Sequence, residues 1–253
     1  MNLGVTILKK VAREGKEGKM HIPDGFLDPK VSFGLMGAAA AVLAYSVAKV
    51  REIVTALVPA EALATVGKGV GSFAGRIRRV LTKEGEQMIY KMGMVAALVF
   101  AAQMFNFPIS SGTSGHLIGG VFAAVILGPF AGAIVISVVL AIQMLFFADG
   151  GLLAIGANII NMAFFGTIVA YYLYFYLKKI IPEWLSIVAA AWASVPLAAF
   201  VCALELGFSG TIPFDKVIPA MVNVHLVIGI AEALITLALV NLFRVLTKEE
   251  IEA

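Results

Sequence analysis

"VIPAMVNVHLVIGIAEALITLALVNLF", residues 217–243, runs for 27 residues with two ionisable side chains, His225 and Glu232. A helix rises about 1.5 Å per residue, so crossing a hydrocarbon core about 30 Å thick takes about 20 mostly apolar residues. This stretch has that length to spare, and runs of the same kind recur upstream, at 31–48, 92–107, 116–128, 130–147, 158–177 and 184–206. The chain therefore reads as an all-α integral membrane protein of about seven transmembrane helices, multi-pass in the cell membrane. The segment at 116–128 is short and interrupted by glycine.

Composition agrees. Of 253 residues, 60% are hydrophobic and 14% charged, with a mean hydropathy of +0.96. A soluble domain carries about 45–50% apolar and about 25% charged residues. The apolar surplus has no aqueous surface to occupy, so lipid must solvate much of it. The single cysteine, Cys202, excludes an intramolecular disulfide and a cysteine-based metal cluster. A net charge of +3 is too small to suggest nucleic acid.

The placement of that charge orients the chain. Lys49, Arg51, Lys68, Arg76, Arg78, Arg79, Lys83 and Lys91 fall between the first two spans, Lys178 and Lys179 follow the fifth, and Arg244 and Lys248 follow the seventh. From Lys30 onward the other side holds only Lys30 and Lys216. The positive-inside rule then puts the amino terminus outside, the carboxyl terminus inside and the 49–91 connection in the cytoplasm. Residues 1–19 fit this poorly, because Lys9, Lys10, Arg13, Lys16 and Lys19 would all be exported. "LGVTIL" is too short for a signal-peptide core and no A-x-A-like cleavage site follows. Lys16-Glu17-Gly18-Lys19 can be encoded by purine-rich codons of the kind that bind a ribosome just ahead of a start codon. Met20 is accordingly expected to be the true first residue, with 1–19 an over-extended reading frame. The other reading is a short extracellular tail.

Two glycine-rich stretches, "PISSGTSG" (108–115) and "DGGLLAIGAN" (149–158), break the helical pattern. Irregular backbone survives at membrane depth only where protein covers it or a cavity lies beside it. No GxxxxGK[ST] loop is present, and "GKG" at 67–69 has neither the spacing nor the hydroxyl, so no nucleotide is expected to bind. There is no HExxH. The three histidines, His21, His116 and His225, are far apart in sequence.

A chain that begins Met20-His21 has a particular chemistry. Its α-amine, the His21 amide nitrogen and the His21 imidazole can chelate one metal in fused five- and six-membered rings. His116, expected on the same side of the membrane, would complete four nitrogens in a plane. That geometry suits Ni(II) or Cu(II), whereas Mg²⁺ and Ca²⁺ want oxygen. All these donors must be deprotonated, so binding should weaken in acid. The competing reading is a solvated terminal histidine and a satisfied loop histidine.

Further polar residues lie in or near the spans: Gln103, Asn106, Gln143, Asp149, Asn158, Asn161, Glu205, Asn223, His225 and Glu232. Intramembrane ionisable groups are functional suspects, while Asn and Gln are expected to bond between helices. His225 and Glu232 share a helix face, either pairing with a neighbouring helix or orienting metal ligands. Asp149 either orients a ligand imidazole or shapes its turn. Asp149, Asn158 and His225 are thus the candidates for residues that hold metal ligands in place.

Five motifs then occur in order: "MHIPDGFL" (20–27), "GTSGHLIGG" (112–120), "ILGPFAG" (126–132), "DGGLLAIGANIINMAF" (149–164) and "HLVIGIAEALIT" (225–236). Together they resemble the CbiM/NikM family, the substrate-specific (S) membrane components of energy-coupling-factor importers for cobalt and nickel. The likeness covers most of residues 20–253. It implies a metal-capture subunit, not an enzyme, with Ni²⁺ or Co²⁺ as transported substrate and cobalamin biosynthesis as one consumer. It implies the metal ligands Met20, His21 and His116. The implied partners are a membrane coupling (T) subunit, cytoplasmic ATPase (A) subunits and a small auxiliary membrane subunit.

Two features depart from the family pattern. Residues 1–19, if retained, would abolish the free amine. The 49–91 connection is longer than usual, and its "GRIRRVLTKEGEQ" (75–87) is expected to rest on anionic headgroups or to dock on a partner. The rival functions are an S component for an organic micronutrient, an intramembrane metalloenzyme using His116, His225 and Asp149, and a self-sufficient channel. The channel is disfavoured because no ring of charges marks a pore.

Overall fold

Asp28 and Pro29 open the first helix. The Asp28 carboxylate accepts the Lys30 N–H at 2.8 Å, and Pro29 occupies a first-turn position where a missing N–H costs nothing. This helix, α1 (Pro29–Val54), ends where Thr55 turns extended. The computed structural model describes residues 21–59, 77–104, 107–109 and 113–252, with backbone alone for 57–59, 77–79, 107–109, 113–115 and 248–252. Met20, residues 1–19, Asn106 and residues 60–76 of the long connection lie outside the described residues.

After α1 the chain forms an antiparallel ribbon of β1 (Thr55–Pro59) and β2 (Ile77–Leu81), in the register Thr55↔Leu81 to Pro59↔Ile77. Thr82 then caps α2 (Lys83–Gln103), its hydroxyl accepting the Gly85 N–H at 2.9 Å while its own N–H donates to the Val54 carbonyl at 3.1 Å. The ends of α1 and α2 therefore meet closely. A Cβ at Gly85 would lie 2.1 Å from the Val54 carbonyl oxygen, so glycine is required there. The 75–87 stretch, expected to rest on anionic headgroups or to dock on a partner, has a defined local structure from residue 77 onward. Its middle is a paired strand, and from Lys83 it is already α2. Backbone pairing with 55–59 satisfies the groups that a surface helix would have satisfied internally.

A second small ribbon, β3 (Phe107–Ile109) with β4 (Thr113–Gly115), leads through Leu117–Gly119 into α3 (Gly120–Leu127). Gly128, at φ 83°, and Pro129 separate α3 from α4 (Pro129–Phe147). Then come α5 (Ile155–Leu177), α6 (Glu183–Phe208) and α7 (Phe214–Glu252). Within α5, residues Ile160–Val169 form a π-helix, where the Thr167 hydroxyl donates to the Met162 carbonyl five residues back at 2.8 Å.

Each of the seven apolar segments contributes a helix, in the expected order, but they are not alike. Five helices, α1, α4, α5, α6 and α7, are long and apolar enough to cross a membrane. The first turn of α2 is charged, with Lys83, Glu84 and Glu86. Eight residues of α3 rise only about 12 Å. Val121, Phe122, Ala123 and Ala124 of α3 have no exposed surface at all. Its all-round apolarity reflects burial among other helices, the second environment that produces such a sequence.

The core gathers around Phe122 of α3, Ile136 and Leu140 of α4 and Ile187 of α6. α6 and α7 pack along much of their length. Ala190, Ala191, Ala198 and Ala199 of α6 are buried, and a Cβ at Gly229 of α7 would meet the Trp192 carbonyl oxygen at 2.8 Å. Small residues here allow the close approach that membrane helices use for adhesion. The matching run in α1 does the reverse, with Gly37, Ala38, Ala40 and Ala41 facing outward.

Candidate metal centre

Residues 21–28 are short, irregular and tied down at nearly every polar group. The Ile22 N–H donates to Asn158 Oδ1 at 3.1 Å, and the Ile22 carbonyl accepts Asn158 Nδ2 at 3.3 Å and the Gly151 N–H at 3.0 Å. Asp24 accepts the N–H groups of Leu152, Leu153 and Ala154 at 3.0, 2.7 and 3.3 Å, which are the orphan donors ahead of α5. At the far end of the segment, the Thr211 hydroxyl donates to the Phe26 carbonyl. Gly150 adopts φ 100° against His21, and a Cβ at Gly151 would fall 2.2 Å from Asp24 Oδ1. The glycine-rich stretch 149–158 is therefore the seat of the 21–28 segment.

This seat buries His21. Its backbone N–H donates to Asp149 Oδ1 at 3.1 Å, and its Nε2 lies 2.9 Å from Gln143 Oε1 and 3.9 Å from Asp149 Oδ2. A relay fixes the tautomer. Gln103 Nε2 donates to the Ile118 carbonyl at 2.8 Å, and Gln143 Nε2 donates to Gln103 Oε1 at 2.9 Å. The carbonyl can only accept, so each amide is oriented in turn and Gln143 Oε1 must accept from His21 Nε2–H. The His21 lone pair is then on Nδ1. Burial, and next the neighbouring His116, lower the His21 pKa from 6.5 to about 4 against the opposing pull of Asp149 and Gln143. The ring is neutral at neutral pH, the form a metal requires.

The His116 ring stands edge-on to His21 with centroids 4.8 Å apart. Its Nδ1 lies 2.9 Å from the Leu117 carbonyl and donates to it, which leaves the lone pair on Nε2. Glu232 of α7 holds the chain just beyond, accepting the N–H groups of Ile118 at 2.7 Å and Gly119 at 2.9 Å. A buried carboxylate at these orphan donors also complements the positive end of α3. His225, on α7, donates Nδ1–H to the Met221 carbonyl at 2.6 Å. His21, His116 and His225 all line one cavity of about 130 Å³, with Asn158, Asn161 and Met162 of α5, Cys202 of α6 and Met221 of α7.

The structure thus brings together five of the six residues singled out from sequence: His21, His116, Asp149, Asn158 and His225. Met20, the sixth, lies outside the described residues. Among the described residues no three His, Cys, Asp or Glu side chains gather as a ready metal cluster. Sequence reasoning assigned Gln103, Gln143 and Asp24 no place in a metal site, whereas Glu232, expected either to pair with a neighbouring helix or to orient metal ligands, anchors 118–119. A buried acid on the last span opposite a "GG" helix start was the available signal for Glu232.

Residues 53–250 match the family model described as CbiM, cobalt uptake substrate-specific transmembrane region. The chain belongs to the CbiM family. The family match begins after the His21 segment. A relative in Archaeoglobus fulgidus that bears the name NikMN is 36% identical over 224 residues, covering 88% of this chain and 64% of its own length. The fused nickel transport protein NikMN of Rhodobacter capsulatus is 32% identical over 244 residues, 87% of this chain and 60% of that one. The cobalt transport protein CbiM of Geobacter sulfurreducens is 29% identical over 178 residues, covering 66% of this chain and 51% of its own. The chain spans 60–64% of the length of these fused relatives. A crystal structure of a transition metal transporter superposes with a TM-score of 0.69 at 32% identity, covering 92% of this chain and 96% of that one. A truncated transition metal transporter gives 0.66 at 30% identity over 88% and 97%. As a CbiM-family chain with five helices long and apolar enough to cross a membrane, the protein is a multi-pass membrane protein.

Proposed function

We propose that the protein is the substrate-capture subunit of an energy-coupling-factor importer for Ni²⁺ or Co²⁺, with a lean to Ni²⁺. The observation that carries this is the pair of imidazoles at the cavity, His21 buried and His116 half-buried, each with its tautomer set by an acceptor behind it. In the proposed chelate the Met20 amine and His21 amide nitrogen close a five-membered ring. The amide nitrogen and His21 imidazole close a six-membered ring only through Nδ1, the nitrogen that the Gln143 relay leaves as acceptor. His116 Nε2 supplies the fourth nitrogen. Asp149 accepts the His21 N–H that the metal must displace, so a carboxylate stands ready beside the ionising amide. Four nitrogens in a plane and the divalent affinity order both favour Ni²⁺ over Co²⁺.

This reading requires the chain to begin at Met20, with residues 1–19 absent from the working protein. It assigns Asp149 and Asn158 to holding the His21–Ile22 backbone. A membrane coupling subunit, cytoplasmic ATPases and a small auxiliary membrane subunit are the proposed partners, because the chain carries no phosphate-binding loop of its own. In liposomes the purified protein should bind radioactive nickel yet accumulate none with ATP. Adding the ATPases and coupling subunit should give ATP-dependent uptake. Uphill uptake by the lone protein would overturn the reading.

A further inference from the structure

One wall of the cavity is richer in donor atoms than the capture of an ion by His21 and His116 requires. His225 donates Nδ1–H to Met221, so its lone pair is on Nε2. Met162 and Met221, each carrying a thioether, belong to the same lining. Asn161 is 95% buried, and its Nδ2 donates to Glu205 Oε2 at 2.8 Å. That bond fixes the amide, yet its Oδ1 is buried with no hydrogen-bond partner among the described residues. Asn161 and Met162 sit where α5 widens into its π-helix, a distortion that frequently accompanies functional sites. His225 is about three turns into α7, counted from the end where Thr211 holds the 21–28 segment.

We propose that His225 Nε2, the Met162 and Met221 thioethers and Asn161 Oδ1 form a second, weaker site that receives the transition-metal ion after it leaves His21 and His116. The proposal rests on the capture reading above. One imidazole, two soft thioethers and a neutral amide oxygen suit a borderline-soft divalent ion and repel Mg²⁺ and Ca²⁺, which want charged oxygen. The set carries no anionic donor, so it holds the ion loosely, as a site on a path must if the ion is to move on. Both sites share about 130 Å³, so electrostatic repulsion between two dications limits occupancy to one ion at a time.

Co²⁺ titrated into the protein beginning at Met20 in detergent, followed by visible absorption, tests this. With His116→Ala, or His21→Gln should the former fail to fold by gel filtration, Co²⁺ should still bind, at least ~10-fold more weakly than in the unaltered protein. The spectrum should be that of low-symmetry cobalt with a sulfur-to-cobalt charge-transfer band. Adding His225→Ala should abolish this spectrum, and adding Met221→Leu should remove or shift its sulfur band. No Co²⁺ spectrum in either capture-site variant, or one that survives His225→Ala, would overturn the proposal. The unaltered protein tests the capture reading separately. A weak sulfur-ligated site there, without a tighter nitrogen site, would sink capture by His21 and His116 while leaving the second site standing.

Discussion

Two irregular segments lie at opposite ends of α1, and they are held in different ways. The 55–59/77–81 ribbon is held by its own backbone pairing and by one tight junction, Thr82 to Val54. The 21–28 segment has no regular structure and is held by side chains far away in sequence: Asp149, Asn158 and the reciprocal grip of Asp24 on 152–154. A ribbon of the first kind can form wherever two strands meet. A segment of the second kind has one conformation on one seat, and that conformation puts His21 against His116. Placing a functional group accurately takes long-range polar contacts, whereas connecting two helices does not.

The largest effects should come from breaking the accurately held region. His116→Ala should weaken Ni²⁺ binding by more than ~100-fold, since it removes a direct donor, whereas second-layer losses cost about 10–100-fold. His225→Ala should change the tight equilibrium affinity by less than ~3-fold. Calorimetry in detergent checks both, and a larger loss for His225→Ala would reassign the ligands.

Acid should sharpen the same contrast. His21 is held near pKa 4 in the folded protein against an ordinary 6.5, so the unfolded chain takes up its proton first. Stability of the metal-free protein should therefore fall as pH drops from 6.5 towards 4, by up to about 1.4 kcal/mol per pH unit, and level off below. His21→Gln should remove that part of the slope in thermal unfolding measured across this range. An unchanged slope would place the acid-sensitive group elsewhere.

The ribbon end should show the smallest effect on binding. Thr82→Ala removes the helix cap of α2 and should cost about 1 kcal/mol of stability. It should leave metal affinity unaltered, and a loss of affinity would show that the two ends of α1 communicate.

Much of this molecule was legible in the sequence, and what was not has physical causes. Length and apolarity located every helix among the described residues. They could not tell a helix in lipid from one inside protein, so α3, with Phe122 fully buried, reads as a span although it is too short to cross. The strand at 77–81 was not legible, because it forms by pairing with residues 55–59 on the far side of the connection. At the site, the chemistry of histidine, the glycine-rich stretch and the family motifs indicated His21, His116 and Asp149. The Gln103–Gln143 relay was legible only as generic interhelical bonding. Its direction depends on which carbonyl terminates it, and that is a fact of three dimensions.

In the proposed site the amino group of Met20 completes the ligand set. Ni²⁺ titration by calorimetry of two purified forms, one beginning at Met20 and one retaining residues 1–19, isolates that ligand. The shorter form should bind tightly and the longer one much more weakly, because only the His21 and His116 side chains remain in it as donors. Equal affinity of the two forms would contradict the proposed site.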